Sequence, residues 1–167
     1  MSQAAPISAS TFEISTLDDE IRVDHLCADL LQRFCAHLRD NGMDPLEAAT
    51  LARGADYFLR EFVIPDRRMN IYAVTANEVR QFAANWYIVR NLEPNMEELE
   101  ATLRGVDAFY RDCADNGQIP QGVDTAISAA CSDLDFYAQR IESFWAIEDG
   151  GFESWNQFCP LKETPDK

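Results

Sequence analysis

The residues that most often carry catalysis or bind metal are scarce in this chain. Only two histidines occur, His25 and His37, twelve residues apart on one predicted helix. At about 1.5 Å of rise per residue the two rings lie about 18 Å apart along the axis, so they do not share a metal ion within one chain. We interpret both as partly exposed helix residues, and the sequence predicts no metal site and no cofactor.

Carboxylates and thiols give no stronger catalytic signal. Glu97, Glu98 and Glu100 crowd the first turns of a predicted helix, where negative charge complements the helix dipole, and no Glu-x-x-His pair of a carboxylate-bridged metal site occurs. Cys159, in the tail, is the thiol that we expect to react if it is exposed. The other cysteines lie on predicted apolar faces as small buried residues: Cys27, Cys35, Cys113 and Cys131. With no phosphate-binding glycine loop either, the sequence predicts a protein that is not an enzyme.

Acidic residues outnumber basic ones by a wide margin. The chain has 29 Asp and Glu residues against 14 Lys and Arg, for a formal net charge of −15. Affinity for nucleic acid and anionic lipid comes mainly from Lys and Arg, so this charge disfavours DNA, RNA and membrane surfaces as partners. No apolar run approaches the ~20 residues that span a bilayer. The cysteines are odd in number, form no CxxC and follow no signal peptide, so we expect a cytoplasmic protein.

The elements that position these residues are predicted to be helices. Apolar residues recur at three- and four-residue steps, and nothing alternates with period two for long enough to form a sheet. Caps and breakers predict a first helix over about residues 18–40, a second from Asp44-Pro45 to Pro65, a third from Thr75, a fourth from Asn95 to Asn116-Gly117, and a fifth from Asp124 to Gly150-Gly151. The predicted fold class is therefore all-α, a bundle of about five helices.

Length and composition predict one domain with polar ends. Residues 1–16 lack helical periodicity and are predicted to be a flexible or loosely docked arm, residues 17–159 a single helical domain, and residues 160–167 a frayed tail. Phe152, Trp155 and Phe158 are too apolar for a solvated tail. They either fold back on the bundle or dock on a partner.

Five short segments along the middle of the chain occur in an order that matches a known helical domain. They are residues 42–45 (Gly-Met-Asp-Pro), 57–59, 74–82, 103–110 and 116–119. Together they resemble the N-terminal, core-binding domain of tyrosine recombinases (phage integrases). The resemblance implies a small SAM-like helical bundle, here extended by a C-terminal helix and the aromatic tail. Recombinases cut DNA with a second domain that contains a His-x-x-Arg element, and the 45 residues after Gly122 contain no histidine, so strand cleavage is not expected.

Two functional classes remain open, with an unrecognised enzyme as a weaker third. We expect a non-catalytic protein-interaction or regulatory module whose partner is another protein or a second copy. The alternative is a DNA-associated accessory module that keeps the recombinase-like fold. The positions of the arginines decide between the two classes. If the arginines share one face, DNA binding is favoured, and if each pairs with a nearby acid, they form a solvated surface. The candidate contact residues are Arg53, Arg60, Arg67, Arg68, Arg80, Arg104 and Arg111. Glu100 and Arg104, and Asp107 and Arg111, have the i to i+4 spacing of helix ion pairs.

Overall fold

A computed structural model describes residues 9–147 and 151–157, and over these residues the chain is helical with no strand. The prediction of an all-α bundle is confirmed. The α-helices are α1 Leu17–Asp40, α2 Pro45–Asp56, α3 Ala76–Gln81, α4 Tyr87–Arg90, α5 Met96–Asp115, α6 Val123–Cys131, α7 Leu134–Trp145 and α8 Gly151–Gln157. A π-helical segment, Tyr57–Val63, continues α2, and a second, Phe82–Trp86, joins α3 to α4. Short 3-10 turns occupy Ala9–Phe12 and Ile71–Ala73.

Side-chain caps start α2, α3 and α5 where the sequence predicted them. The Asp44 carboxylate accepts hydrogen bonds from the backbone N–H groups of Leu46 and Glu47 and so begins α2. Thr75 forms a capping box with Glu78 at the start of α3, and Asn95 accepts from the N–H of Glu98 at the start of α5. Each cap satisfies a backbone donor that the first helical turn leaves without a partner.

The predicted fifth helix is wrong, because the chain breaks it into α6 and α7. Gly122, in a left-handed conformation with φ of 94°, precedes α6, so Asp124 lies inside the first turn and is not the cap. The break comes at Ser132, whose hydroxyl donates to the Ser128 carbonyl, and at Asp133, which accepts from Arg80 at 2.7 Å. This turn allows α7 to pack on the Phe82–Trp86 segment.

The predicted end of that helix is also wrong. α7 ends at Trp145, and Gly151 begins α8 instead of stopping a helix, while Gly150 lies outside the described residues.

Part of the predicted N-terminal arm, within residues 9–16, is docked on the bundle. Phe12 is fully buried, with its ring 5.2 Å from that of Tyr72 in an edge-to-face arrangement. The Asn70 side chain donates to the Ala9 carbonyl at 2.7 Å, and Arg22 donates to the Thr11 carbonyl at 2.6 Å. Residues 1–8 and the predicted frayed tail, 160–167, lie outside the described residues.

One hydrophobic cluster extends from Phe12 to Trp155. Phe58, Phe62, Phe82, Leu103 and Phe109 are buried in it, and Trp86 and Leu134 are half-buried against it. The two π-helical segments meet in its centre, where the ring of Phe82 lies 5.2 Å from that of Phe58 and 5.5 Å from that of Phe62. Edge-to-face and tilted pairs of this kind add to the stabilisation that comes from burial alone.

Two glycines allow α2 and α5 to cross at close range. A Cβ atom on Gly54 would lie 2.9 Å from the Cα of Thr102, and one on Gly105 would lie 2.8 Å from the backbone nitrogen of Ala55. Both distances are too short for a real side chain, so the crossing requires glycine at each position. Beside this crossing the two helices leave a pocket, described below.

Candidate functional site

Most of the seven candidate arginines are paired with acidic side chains. Five of them have a carboxylate within 4.0 Å: Arg60 with Asp24 and Asp56, Arg67 with Asp66, Arg68 with Glu20, Arg80 with Asp133, and Arg111 with Asp107. Arg53 and Arg104 are exposed and form no ion pair with any described residue. The Asp107 and Arg111 spacing therefore produces an ion pair, whereas the Glu100 and Arg104 spacing does not.

Arg60 shows how such pairing occupies the hydrogen-bond donors of an arginine. Its Nε and Nη2 donate to the two carboxylate oxygens of Asp24 at 3.0 and 3.1 Å, and its Nη1 donates to Asp56 at 3.0 Å. The hydrogen bonds to Asp24 and then to Asp56 raise the pKa of Arg60 above its already high value. The guanidinium thus fastens α1 to α2, and its donors are directed at protein carboxylates instead of outward toward a phosphate.

The aromatic tail lies partly on the bundle. Trp155 is only 6% exposed, and its indole N–H donates to the Arg140 carbonyl and to the Ser143 hydroxyl. Phe152 stacks on Trp155 with ring centroids 6.1 Å apart and stays 42% exposed. Phe158, the third candidate docking residue, lies outside the described residues.

Arg140 was not among the predicted site residues, yet it holds this tail. Its Nε donates to the Ala84 carbonyl at 3.0 Å and its Nη1 to the Trp155 carbonyl at 3.1 Å. The guanidinium carbon also lies 3.8 Å from the centroid of the Trp155 ring, a close cation–π contact. Its place on the apolar face of α7, beside Tyr137 and Ile141, is the sequence signal that could have indicated burial.

An exposed aromatic surface extends from this anchor. The rings of Trp145, Phe144, Trp155 and Phe152 form a continuous chain with centroid distances of 6.1, 5.2 and 6.1 Å. The inner two are buried or half-buried, and the outer two, Trp145 at 58% and Phe152 at 42%, are exposed. We call Trp145 and Phe152 the aromatic corner.

A pocket of about 310 Å³ lies beside the α2–α5 crossing. Gly54 contributes no side chain to it. The polar side chains that line it come from α2, from the first residue of the π-helical segment, from the residue that follows α4 and from α5: Thr50, Arg53, Tyr57, Asn91, Glu98 and Thr102. Only Arg53 of these was predicted as a contact residue, because the others come together through the crossing and not through spacing on one helix. The glycines within the helical patterns of α2 and α5 are the signal that predicts a close backbone approach.

Three of the four cysteines predicted to be buried are buried. They are Cys27, Cys113 and Cys131, while Cys35 is half-buried in a groove between α1 and α2, and Cys159 lies outside the described residues. Burial raises the pKa of the Cys27 and Cys131 thiols to about 12 and that of Cys113 further. These thiols carry almost no thiolate at neutral pH and are poor nucleophiles.

Both histidines are exposed, as predicted, and among the described residues a carboxylate lies close to His37 but not to His25. Nε2 of His37 lies 3.5 Å from Oδ1 of Asp112. Partial burial raises the pKa of Asp112, and the nearby His37 works in the opposite direction. Across the described ranges, no three His, Cys, Asp or Glu side chains come together in a group that could hold a metal ion.

No helix in residues 9–147 or 151–157 combines the length and apolar character that crossing a bilayer requires. Comparison of the chain with protein-family models, with curated proteins and with solved structures finds no match. The candidate sites therefore rest on the geometry of this chain alone.

Proposed function

We propose that this chain is a non-catalytic interaction module that binds a basic partner protein at the aromatic corner, Trp145 and Phe152. The observation that carries the proposal is that these two rings are exposed while the aromatic residues beneath them are buried or half-buried in the bundle. Trp145 packs against Phe144, and Phe152 stacks on Trp155. Arg140 in turn contacts both the carbonyl and the ring of Trp155. Large aromatic side chains held rigid in this way are typical of residues that dominate binding energy in protein interfaces.

The charge of the sequence segment that contains the aromatic corner favours a basic partner. Residues 141–157 contain the acids Glu142, Glu148, Asp149 and Glu153 and no lysine or arginine. Lys and Arg side chains of a partner would gain from the negative charge of this segment and from the faces of the aromatic rings. A second copy of the chain would bring a further net charge of −15, which opposes self-association except through apolar contact.

Binding of a defined basic peptide tests the proposal. The probe is a fluorescent amphipathic peptide built only from Lys and Leu, with a Glu and Leu peptide of equal length as the charge control. We expect the basic peptide to bind and to dissociate as salt is added, and the acidic peptide not to bind.

Matched variants locate the binding. Trp145→Ala combined with Phe152→Ala should weaken binding of the basic peptide by about tenfold or more, whereas Leu46→Ala, which removes a 76% exposed side chain at the start of α2, should leave it unchanged. Equal binding by the double variant and the unmodified chain would overturn the aromatic corner as the site. Concentration-dependent sedimentation that the double variant abolishes would replace the basic partner with a second copy of the chain.

The DNA-associated alternative has less support. It needs a surface of arginines that can face phosphates, and among the seven candidates only Arg53 and Arg104 lack a carboxylate partner in the described part of the chain. The recombinase-like resemblance remains a prediction about the fold and carries no DNA contact by itself.

A further inference from the structure

The pocket beside the α2–α5 crossing contains two opposite charges. Arg53 lines it from α2 and makes no ion pair with a described residue, and Glu98 lines it from α5. Their charges cancel, so the pocket is locally neutral although the chain as a whole is strongly acidic. A ligand that matches the pair must itself carry both a negative and a positive group.

Tyr57 adds a hydrogen-bond donor to this pocket. Its hydroxyl oxygen accepts from the side-chain nitrogen of Asn91 at 3.1 Å, and no described residue accepts its proton. Burial, as the largest influence, raises the pKa of Tyr57, so the hydroxyl is a neutral donor at physiological pH. Arg53 and Tyr57 together offer the donors that a carboxylate requires.

Asn91 and Glu98 add the acceptors. Asn91 donates both amide hydrogens, to the Tyr57 hydroxyl and to the Tyr87 carbonyl, so its amide oxygen is the atom left for a ligand. Oε1 of Glu98 accepts from the Tyr87 hydroxyl at 2.9 Å, whereas its Oε2 has no donor among the described residues. The two oxygens match an ammonium group, which carries only donors.

The remaining wall is neutral and weakly polar. The hydroxyl protons of Thr50 and Thr102 are donated to the carbonyls of Leu46 and Glu98 in their own helices, so neither hydroxyl is a donor to a ligand. Gly54 and Ala101 complete the wall without a polar side chain. The volume of about 310 Å³ is at the lower end of the range for small-molecule sites.

We propose that this pocket binds a free α-amino acid, with its carboxylate on Arg53 and Tyr57 and its ammonium group on Glu98 and Asn91. The ligand is a zwitterion because the charged groups of the pocket are one cation and one anion. Its side chain is small and uncharged because the rest of the wall consists of Gly54, Ala101 and two threonine side chains and carries no charge. This site is separate from the aromatic corner, so either proposal can fail without the other.

Titration of the isotope-labelled chain with each proteinogenic amino acid at millimolar concentration, followed by amide NMR, tests the site. At least one amino acid should bind and shift amide signals of residues 50–57 and 91–102. Its methyl ester, which lacks the carboxylate, and its N-acetyl form, which lacks the ammonium group, should each bind at least about tenfold more weakly. No binding by any amino acid, or equal binding of the blocked forms, would overturn the proposal.

Substitutions assign the contacts. Arg53→Gln, Tyr57→Phe and Glu98→Gln should each weaken binding of that amino acid by about tenfold or more. Arg104→Gln is the matched control, because Arg104 is also an exposed arginine without an ion pair in the described part of the chain but does not line the pocket. Arg53 is on the surface, so Arg53→Gln is expected to fold. If it binds as tightly as the unmodified chain, the proposed contact is wrong.

Discussion

Arg60 and Arg140 hold helices together through contacts that their residue type does not reveal. Arg60 connects α1 to α2 through Asp24 and Asp56, and Arg140 connects α7 to α8 through the Trp155 carbonyl and ring. The planar guanidinium suits both roles because it offers several donors and a flat face at once. An arginine count on its own therefore overstates the positive charge that this chain presents to a partner.

The buried thiols should resist a thiol reagent in the folded protein. Because burial raises their pKa values, Cys27, Cys113 and Cys131 remain protonated at mildly alkaline pH, and the reagent cannot reach them. The measurement is labelling by an aromatic disulfide in a Cys35→Ser, Cys159→Ser variant. We expect almost no reaction in buffer and complete reaction in guanidinium. Rapid labelling under native conditions would contradict the assigned burial.

Phe109 should be a large contributor to stability. It is 2% exposed, and its ring lies 5.6 Å from that of Phe34 and 5.1 Å from that of Tyr110. Phe109→Ala should lower the free energy of unfolding by about 3–5 kcal/mol in a urea titration. Leu92→Ala, at a side chain that is 96% exposed, is the control and should change it by less than ~0.5 kcal/mol. A loss below ~1 kcal/mol for Phe109→Ala would place that ring outside the core.

At the scale of helices, the π-helical segments explain how aromatic rings from two helices meet. In Tyr57–Val63 the N–H of Ile64 donates to the Leu59 carbonyl, and in Phe82–Trp86 the N–H of Tyr87 donates to the Phe82 carbonyl. Both bonds span five residues instead of four, so each turn is wider and the following side chains rotate relative to an α-helix. The segments contact each other at the centre of the core.

The α2–α5 crossing should not tolerate a larger residue. Gly105→Ala adds a Cβ that would overlap backbone atoms of Leu51 and Ala55, and overpacking of this kind costs about 1–3 kcal/mol. Helix propensity alone would have the opposite effect, because replacing glycine by alanine in a helix raises the free energy of unfolding by about 1 kcal/mol. We expect Gly105→Ala to lower the free energy of unfolding in a urea titration. Arg104→Ala, at the exposed neighbouring position, is the control and should leave it nearly unchanged. A stabilised Gly105→Ala variant would show that the helices can separate at no cost.

For the whole molecule, net charge and pairing act together against nucleic acid. A charge of −15 repels phosphates at long range, and carboxylates occupy most of the candidate arginines at short range. An acidic surface with an exposed aromatic corner instead favours a basic protein partner, as proposed above.

Binding to random duplex DNA should be no tighter than about 10⁻⁴ M at physiological salt, the weak end of ordinary nonspecific affinity. Fluorescence anisotropy with a labelled duplex measures it. Micromolar binding that weakens steeply with salt and is lost when Arg67 and Arg68 become Glu would contradict the interaction-module proposal. It would support the DNA-associated alternative instead.

The sequence by itself determined the fold class and the starts of α2, α3 and α5. Asp44, Thr75 and Asn95 are caps that act within one turn, and the apolar stripe of each helix is a local pattern, so both could be predicted without any knowledge of neighbours. The acidic charge is likewise a sum over residues. These properties depend on short-range geometry or on composition alone.

Only the tertiary structure decided the break between α6 and α7, the docking of Phe12 and the candidate sites. Asp133 is held by Arg80, 53 positions earlier in the chain, and Phe12 packs against Tyr72. The pocket arises in the same way, because it combines side chains from helices that are separate in sequence. Phe152 and Trp155 were candidates in the sequence, but only the structure joins them to Phe144 and Trp145. No helical periodicity encodes such pairings, since they depend on which faces meet when the whole chain buries its apolar surface.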